Sequence, residues 1–221
     1  MLTSSEENYL KAIYKILERN NESTASTKLI ANETGTSSAS VTDMVKKLSD
    51  KSFLHYEKYY GASLTKEGQR LALDLIRKHR LWETFLFTHL KFGWEHVHDL
   101  AEQLEHIQSD ELVIRLDEFL GFPKFDPHGD PIPNKNGSFT FRVQSTLSQI
   151  KKIDSEVIVL GVRSHETPFL QFLDSVSIQP GKKIKVLAYN SFDQTHTIQN
   201  DTMQTFSLSH TMSHAILVKM V

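Results

Sequence analysis

Fifteen residues decide how this chain divides. The stretch PKFDPHGDPIPNKNG, residues 123–137, holds four of the six prolines and two of the nine glycines. Proline fixes its own φ and has no amide proton for a helix or a sheet ladder, so four of them in fifteen residues exclude a continuous regular element. The patterning differs on the two sides. Before the stretch, apolar residues recur at helical spacing; after it, they alternate as in strands. A chain of 221 residues then reads as an α part and a β part, joined by a linker or extended loop.

Residues 4–19 predict a helix, with Tyr9, Leu10, Ile13, Tyr14, Ile16 and Leu17 as its apolar positions. In KLIANETGTSSASVTDMVKKLSDKSF, the residues Ala31, Gly35, Val41 and Met44 stand at relative offsets 0, 4, 10 and 13. A helix-turn-helix needs that arrangement: a small residue where the helices cross, glycine at the turn, and apolar residues on the second helix facing the first. Ser37 or Ser38 caps the second helix. FLHYEKYYGASLT alternates and turns at Gly61, which predicts a two-stranded wing. Thr65 caps a helix over roughly 66–91, followed by helices over about 95–107 and 109–120, the last capped by Ser109. Beyond the Pro-rich stretch, SFTFRV, EVIVLGV, KKIKVLAY, THTIQ, QTFSLS and AILVKMV read as strands, with one helix-like insert, ETPFLQFLDSV. Short strands at that density suggest a small barrel. The expected fold is mainly α with a β C-terminal domain: residues 1–65 as a winged helix-turn-helix, 66–137 as a helical domain with its linker, and 138–221 as a small β domain.

Composition excludes several functions. With no cysteine, disulfides, thiolate catalysis and sulfur-ligated zinc or iron–sulfur sites are ruled out. No window is apolar for the roughly 18 residues a membrane span needs, and MLTSSEENYL has no apolar signal core, so a cytoplasmic protein is expected. The net charge of −2 means that any nucleic-acid contact must come from a local patch. Ser38 to Lys66 supplies one: five lysines against Asp43, Asp50 and Glu57. The base-facing candidates are the outward residues early in the second helix, Ser37, Ser38, Ala39, Ser40, Thr42 and Asp43. Lys46, Lys47, Lys51 and Lys58 are placed to meet phosphates.

The centre of the chain is acidic. From Glu95 to Glu118 there are eight acids against Arg115 alone, and five of the eleven histidines lie between His79 and His106. In VHDLAEQLEHIQSDE, the residues Val97, Leu100, Ala101, Leu104 and Ile107 fall within about 120° of a helical projection, the core face. His98, Glu102, Glu105 and His106 share an adjoining arc of about 100°. On the preceding helix, His79 and Glu83 share one face at i, i+4 spacing. Crowded carboxylates repel unless protonated or neutralised by a cation, and a divalent metal does the latter. Nitrogen and oxygen donors without sulfur suit Mn(II) or Fe(II), while Zn(II), Co(II) or Ni(II) also bind such sets. A solvated acidic face, with the DNA-binding unit responding to a small organic ligand, and a di-metal hydrolase are the competing readings.

These residues resemble the diphtheria-toxin-repressor and manganese-transport-regulator family of metal-dependent repressors. The resemblance lies in EENYLKAIY, the helix-turn-helix and wing with SLTKEG, RKHRLWETFL, VHDLAEQLEHIQSDE and LDEFLGFPKFDPHGDPIP, close over residues 1–133 and weaker beyond. It implies an SH3-like C-terminal domain, no enzymatic activity and no small-molecule substrate, a homodimer on a palindromic operator, and two metal sites. The regulatory site maps to Glu102, Glu105 and His106, with Asn8 from the first helix. The ancillary site maps to His79, Glu83 and His98, with His165 or Glu166 from the C-terminal domain. Glu102 stands where iron-type members carry Cys, which is similar to the manganese branch. Asn8 stands where Asp or Met is usual, with Glu7 beside it as a second candidate. Lys11 replaces an acid of the two-domain manganese regulators, which speaks against a closely spaced metal pair. The resemblance implies that metal ties Asn8 to the central helix, relieves repulsion between Glu102 and Glu105, and fixes the recognition helices. Phe85, Leu86, Val113, Leu116, Phe119 and Leu120 are candidates for the dimer interface or for intrachain core. His128, His196, His210 and His214 read as surface or structural.

Overall fold

The computed structural model describes residues 2–221; Met1, the first residue of the expected DNA-binding segment, lies outside the described residues. The chain forms two compact units. One holds residues up to 79 together with 103–109 and 133–138; the other holds 80–102, 110–132 and 139–221.

In the first unit, α1 (Ser4–Asn20) opens on a capping box. Thr3 Oγ1 accepts from Glu6 N, and Glu6 Oε2 accepts from Thr3 N, so two otherwise orphaned amides are satisfied reciprocally. Helix α2 (Thr27–Thr34) starts at Ser26 and stops at Gly35, whose φ of 65° is the left-handed conformation that closes a helix. Helix α3 (Ser38–Asp50) begins under the Ser37 side chain. Leu10, Ile13, Ile16, Ile30, Val41, Val45 and Leu48 pack as the core of this trihelical unit. Each such side chain contributes about 1.5–3 kcal/mol on burial. The wing is β1 (Leu54–Glu57) antiparallel to β2 (Gly61–Leu64). Gly61 is required there: a Cβ would lie 2.5 Å from Ala25 O, and Ala25 pairs with Ala62 in a two-way backbone bridge.

Helices α4 (Lys66–Thr88) and α5 (Val97–Leu104) contribute residues to both units. Both end earlier than periodicity predicts. Lys91, at φ 59°, turns the chain after α4, and after α5 Ile107 N bonds Leu104 O in a turn. In the second unit, α6 (Asp110–Phe119) packs Val113 and Leu116 with Leu81 and Ile132. The β part holds β3 (Ser145–Thr146), β4 (Glu156–Val162), α7 (Thr167–Ser175), β5 (Lys183–Tyr189), β6 (His196–Asn200), β7 (Thr205–Leu208), α8 (His210–Ala215) and β8 (Ile216–Met220). Its six strands make one antiparallel sheet in the order β3-β8-β4-β5-β6-β7, over a core that includes Trp94, Val159, Val186 and Ile198.

One expected strand is absent among the described residues. SFTFRV pairs with no strand, and Phe141 and Val143 are 87% and 93% exposed. Phe139 and Arg142 are its half-buried residues; Arg142 Nη2 donates to Gly129 O and Leu160 O, and its guanidinium lies 3.9 Å from the Phe125 ring centroid. Helix α8 went unpredicted because six residues are too few to show a helical period.

Candidate metal centre and nucleic-acid face

On α3, Ser38, Ala39, Ser40, Asp43, Lys46 and Lys47 are exposed. Ser37 and Thr42 are committed to the helix itself: Ser37 Oγ accepts from Ser40 N, and Thr42 Oγ1 donates to Ser38 O. Lys47 and Lys51 approach Glu6 Oε1 at 3.2 and 2.6 Å, which ties α3 to the start of α1. Burial opposes ionisation of Glu6, but hydrogen bonds from Lys51, Thr3 N–H and Lys47 outweigh it and pull the carboxyl down to about 2. At the wing tip Lys58 sits over the Tyr59 ring, and Tyr59 and Tyr60 are 90% and 70% exposed. Sequence reasoning passed over this tyrosine pair; two aromatics just before the turning glycine are the signal that could have found it.

Glu105 is the centre of the first unit's polar cluster and is fully buried. Lys11 Nζ lies 2.6 Å from its Oε1, and His79 Nδ1 lies 2.7 Å from its Oε2. His106 follows, with Nδ1 2.6 Å from Glu7 Oε2 and Nε2 3.8 Å from Glu105 Oε1. Gln108 Nε2 donates to the other Glu7 oxygen at 2.9 Å. On the same turn of α1, Asn8 Oδ1 is buried and accepts no hydrogen bond among the described residues. A buried acceptor without a donor costs roughly 1–3 kcal/mol, and a cation would satisfy it. This orphaned oxygen and the hard carboxylate and imidazole donors around it fit a divalent metal. Glu102 lies on the last turn of α5 in the second unit, where its carboxylate is 3.8 Å from His98 Nε2.

The second unit builds its own cluster. Glu83, Asp126 and His128 are all buried, and each offers a ligand atom within 4.8 Å of the others. His98 Nδ1 meets Glu83 Oε1 at 3.2 Å. His128 is neither on the surface nor hydrogen-bonded through Nδ1: that atom stands 3.6 Å from Glu83 Oε2 and has no hydrogen-bond partner among the described residues. Its ring lies 4.5 Å from the His165 ring. Asp126 Oδ1 accepts from His128 N and Asp130 N, which shapes the DPHGD loop, and Arg80 Nε lies 3.6 Å from Asp126 Oδ2. Burial, then the charges of Glu83 and Asp130, pushes Asp126 well up, despite Arg80. Burial, then His128, holds His165 down at about 4. Burial drives both groups toward their neutral forms, the carboxyl upward and the imidazole downward. Glu166, the alternative to His165, is exposed at the N-cap of α7. Sequence reasoning did not single out Asp126 and read His128 as surface or structural, because their segment read as a linker.

A winged helix-turn-helix followed by helices bearing these nitrogen-and-oxygen clusters defines a class, the metal-dependent DNA-binding regulators. Residues 1–62 match the iron dependent repressor N-terminal DNA binding domain, 65–134 the iron dependent repressor metal binding and dimerisation domain, and 145–220 the FeoA domain. The chain belongs to this iron-dependent, diphtheria-toxin-repressor family. It is similar to a solved manganese-dependent transcriptional repressor in complex with manganese, at 32% identity and TM-score 0.77, covering 98% of this chain and all of that one. It is 28% identical to the diphtheria toxin repressor of Corynebacterium jeikeium, over 87% of this chain and 76% of that protein. A 73-residue stretch, 33% of the chain, is 44% identical to a probable metal transport system membrane protein of Chlamydia trachomatis, and spans 16% of that protein's length.

Proposed function

We propose that this protein is a metal-dependent transcriptional repressor that answers chiefly to Mn(II). Fe(II) is the nearest competitor, and Zn(II), Co(II) and Ni(II) are substitutes in vitro. Residues 1–65 read operator DNA, 66–137 bind metal and dimerise, and 138–221 form the SH3-like module. The observation that carries the reading is the buried, unpartnered carbonyl oxygen of Asn8, on the same turn of α1 as Glu7 and Lys11. Glu105, His106, Asn8 and Glu102 would hold the regulatory metal. His79, Glu83 and His98, with His165, would hold the ancillary one, and Asp126 and His128 stand beside Glu83. Bound metal supplies concentrated positive charge, which neutralises these carboxylates.

The rest is done by the chain. Mutual repulsion of Glu102 and Glu105 is not the whole electrostatic picture, because Lys11 already balances Glu105 from α1. The regulatory event is therefore an exchange of partners at Glu105. Asn8 draws α1 toward the ligands on the loop after α5, and α1 bears on α3 through Glu6. A homodimer would present two copies of α3 to the halves of a palindromic site. Ser38, Ala39, Ser40 and Asp43 meet base edges, while Lys46 and Lys58 meet phosphates.

The experiment selects duplexes from a random library with Mn(II), then measures affinity for the recovered DNA with and without the metal at one ionic strength. Mn(II) should tighten binding about 5–150-fold. Glu105→Ala should erase that difference. Equal affinity in both conditions overturns the reading.

A further inference from the structure

We propose that Glu7 is a positioning residue: it orients His106 for the metal, and Gln108 holds Glu7 in place to do so. The proposal rests on the reading of Glu105 and His106 as metal ligands.

A neutral imidazole has one nitrogen that carries a proton and one with a free lone pair, and only the second can bind a metal. The bond made at one nitrogen decides what the other can do. His106 has its nitrogens clearly divided. Nδ1 lies 2.6 Å from Glu7 Oε2; Nε2 faces Glu105 Oε1 at 3.8 Å. Nδ1–H donates to the Glu7 carboxylate, so the Nε2 lone pair points to the side where the other ligand stands. Both partners are largely withdrawn from solvent, at 15% side-chain exposure each, so water competes poorly for the contact.

Glu7 cannot turn away from this task, because its second oxygen accepts from Gln108 Nε2 at 2.9 Å. With both oxygens committed, it stands behind the imidazole and does not compete with it for the metal. The alternative that Glu7 replaces Asn8 as a ligand is therefore disfavoured by its geometry. A carboxylate behind a ligating histidine fixes the ring and raises its basicity, and losing such a partner typically costs 10–100-fold in metal affinity. Glu7 fastens α1 to His106, and with metal bound Asn8 would fasten it a second time, so occupancy of His106 would be felt directly by α1.

The test is Mn(II) calorimetry on the full chain, with thermal melting in the absence of metal as the check on folding. Glu7→Ala should weaken Mn(II) binding 10–100-fold while its melting stays close to wild type. Glu7→Gln, whose carbonyl still accepts from Nδ1–H, should recover binding to within about threefold of wild type. Gln108→Ala, which frees Glu7 to rotate, should lie between, and it decides the matter if Glu7→Ala does not fold. Wild-type affinity in Glu7→Ala, or in Gln108→Ala where that variant decides, overturns the proposal; so do equal losses in Glu7→Ala and Glu7→Gln. If the wild type itself binds no Mn(II), the metal reading falls and takes this one with it.

Discussion

Gly161 shows how finely single positions are set. A Cβ there would stand 2.1 Å from His128 O and 2.6 Å from Gly129 Cα. The same carbonyl accepts from Val162 N at 2.7 Å, which pins the DPHGD loop to β4 and so places Asp126 and His128 beside Glu83. Gly161→Ala should cost about 2–3 kcal/mol, because backbone, not a flexible side chain, must give way. Chemical denaturation would measure it, and a second, weaker Mn(II) isotherm should be lost with the loop. The burial of His128 beside Glu83 was illegible for a physical reason. It arises against a residue 45 positions upstream in sequence, and nothing in a Pro-rich segment reports what that segment packs on. Glu105 and His106 were legible as a pair because a single helical projection places them together. Their partners Lys11, His79 and Glu7 were not, being 94, 26 and 99 residues away.

Three consecutive residues of α1 face three different tasks. Glu6 holds Lys47 and Lys51 at the end of α3, Glu7 holds His106, and Asn8 offers an unpaired oxygen. One helix thus contacts both α3, through Glu6, and His106, through Glu7. Glu6→Gln keeps the capping box, since glutamine serves at that position, but removes the charge that holds the two lysines. We expect a loss of about 1.5–3 kcal/mol, the usual worth of hydrogen bonds to a charged group, read by denaturant unfolding. Lys47 and Lys51, once released, should also raise affinity for random-sequence DNA at low salt. If the variant matches wild type in both measurements, the link between α1 and α3 carries no weight. At this scale the sequence was most readable where signals are local: caps, the turn glycine and the wing. It failed at SFTFRV, where alternation mimics a strand but no neighbouring strand accepts the ladder.

Among the described residues, no helix is long and apolar enough to cross a membrane. Leu86, Val113 and Leu116 are buried within the chain and drop out as interface candidates. Phe119 does not: it is 63% exposed, with Ile114 and Phe122 exposed nearby in sequence, and it caps an aromatic group with Phe85 and His89. Residues 65–134 match a dimerisation domain, and Phe119 belongs to the apolar surface that segment leaves uncovered. Phe119→Asp should shift the protein from dimer to monomer in sedimentation equilibrium while leaving its helical content unchanged. A variant that still sediments as a dimer would place the interface elsewhere.

Trp94 has an optical consequence. Its indole is wholly buried, donates to Pro127 O, and stacks at 5.9 Å and 6° on the imidazole of His128. An excited indole is sensitive to the charge and paramagnetism of whatever its neighbour binds, so the protein carries an intrinsic dye beside the Glu83, Asp126 and His128 group. Mn(II) should quench the emission as that cluster fills. Trp82→Phe should preserve the quenching and Trp94→Phe abolish it, which would let the two kinds of metal occupancy be followed separately in one cuvette.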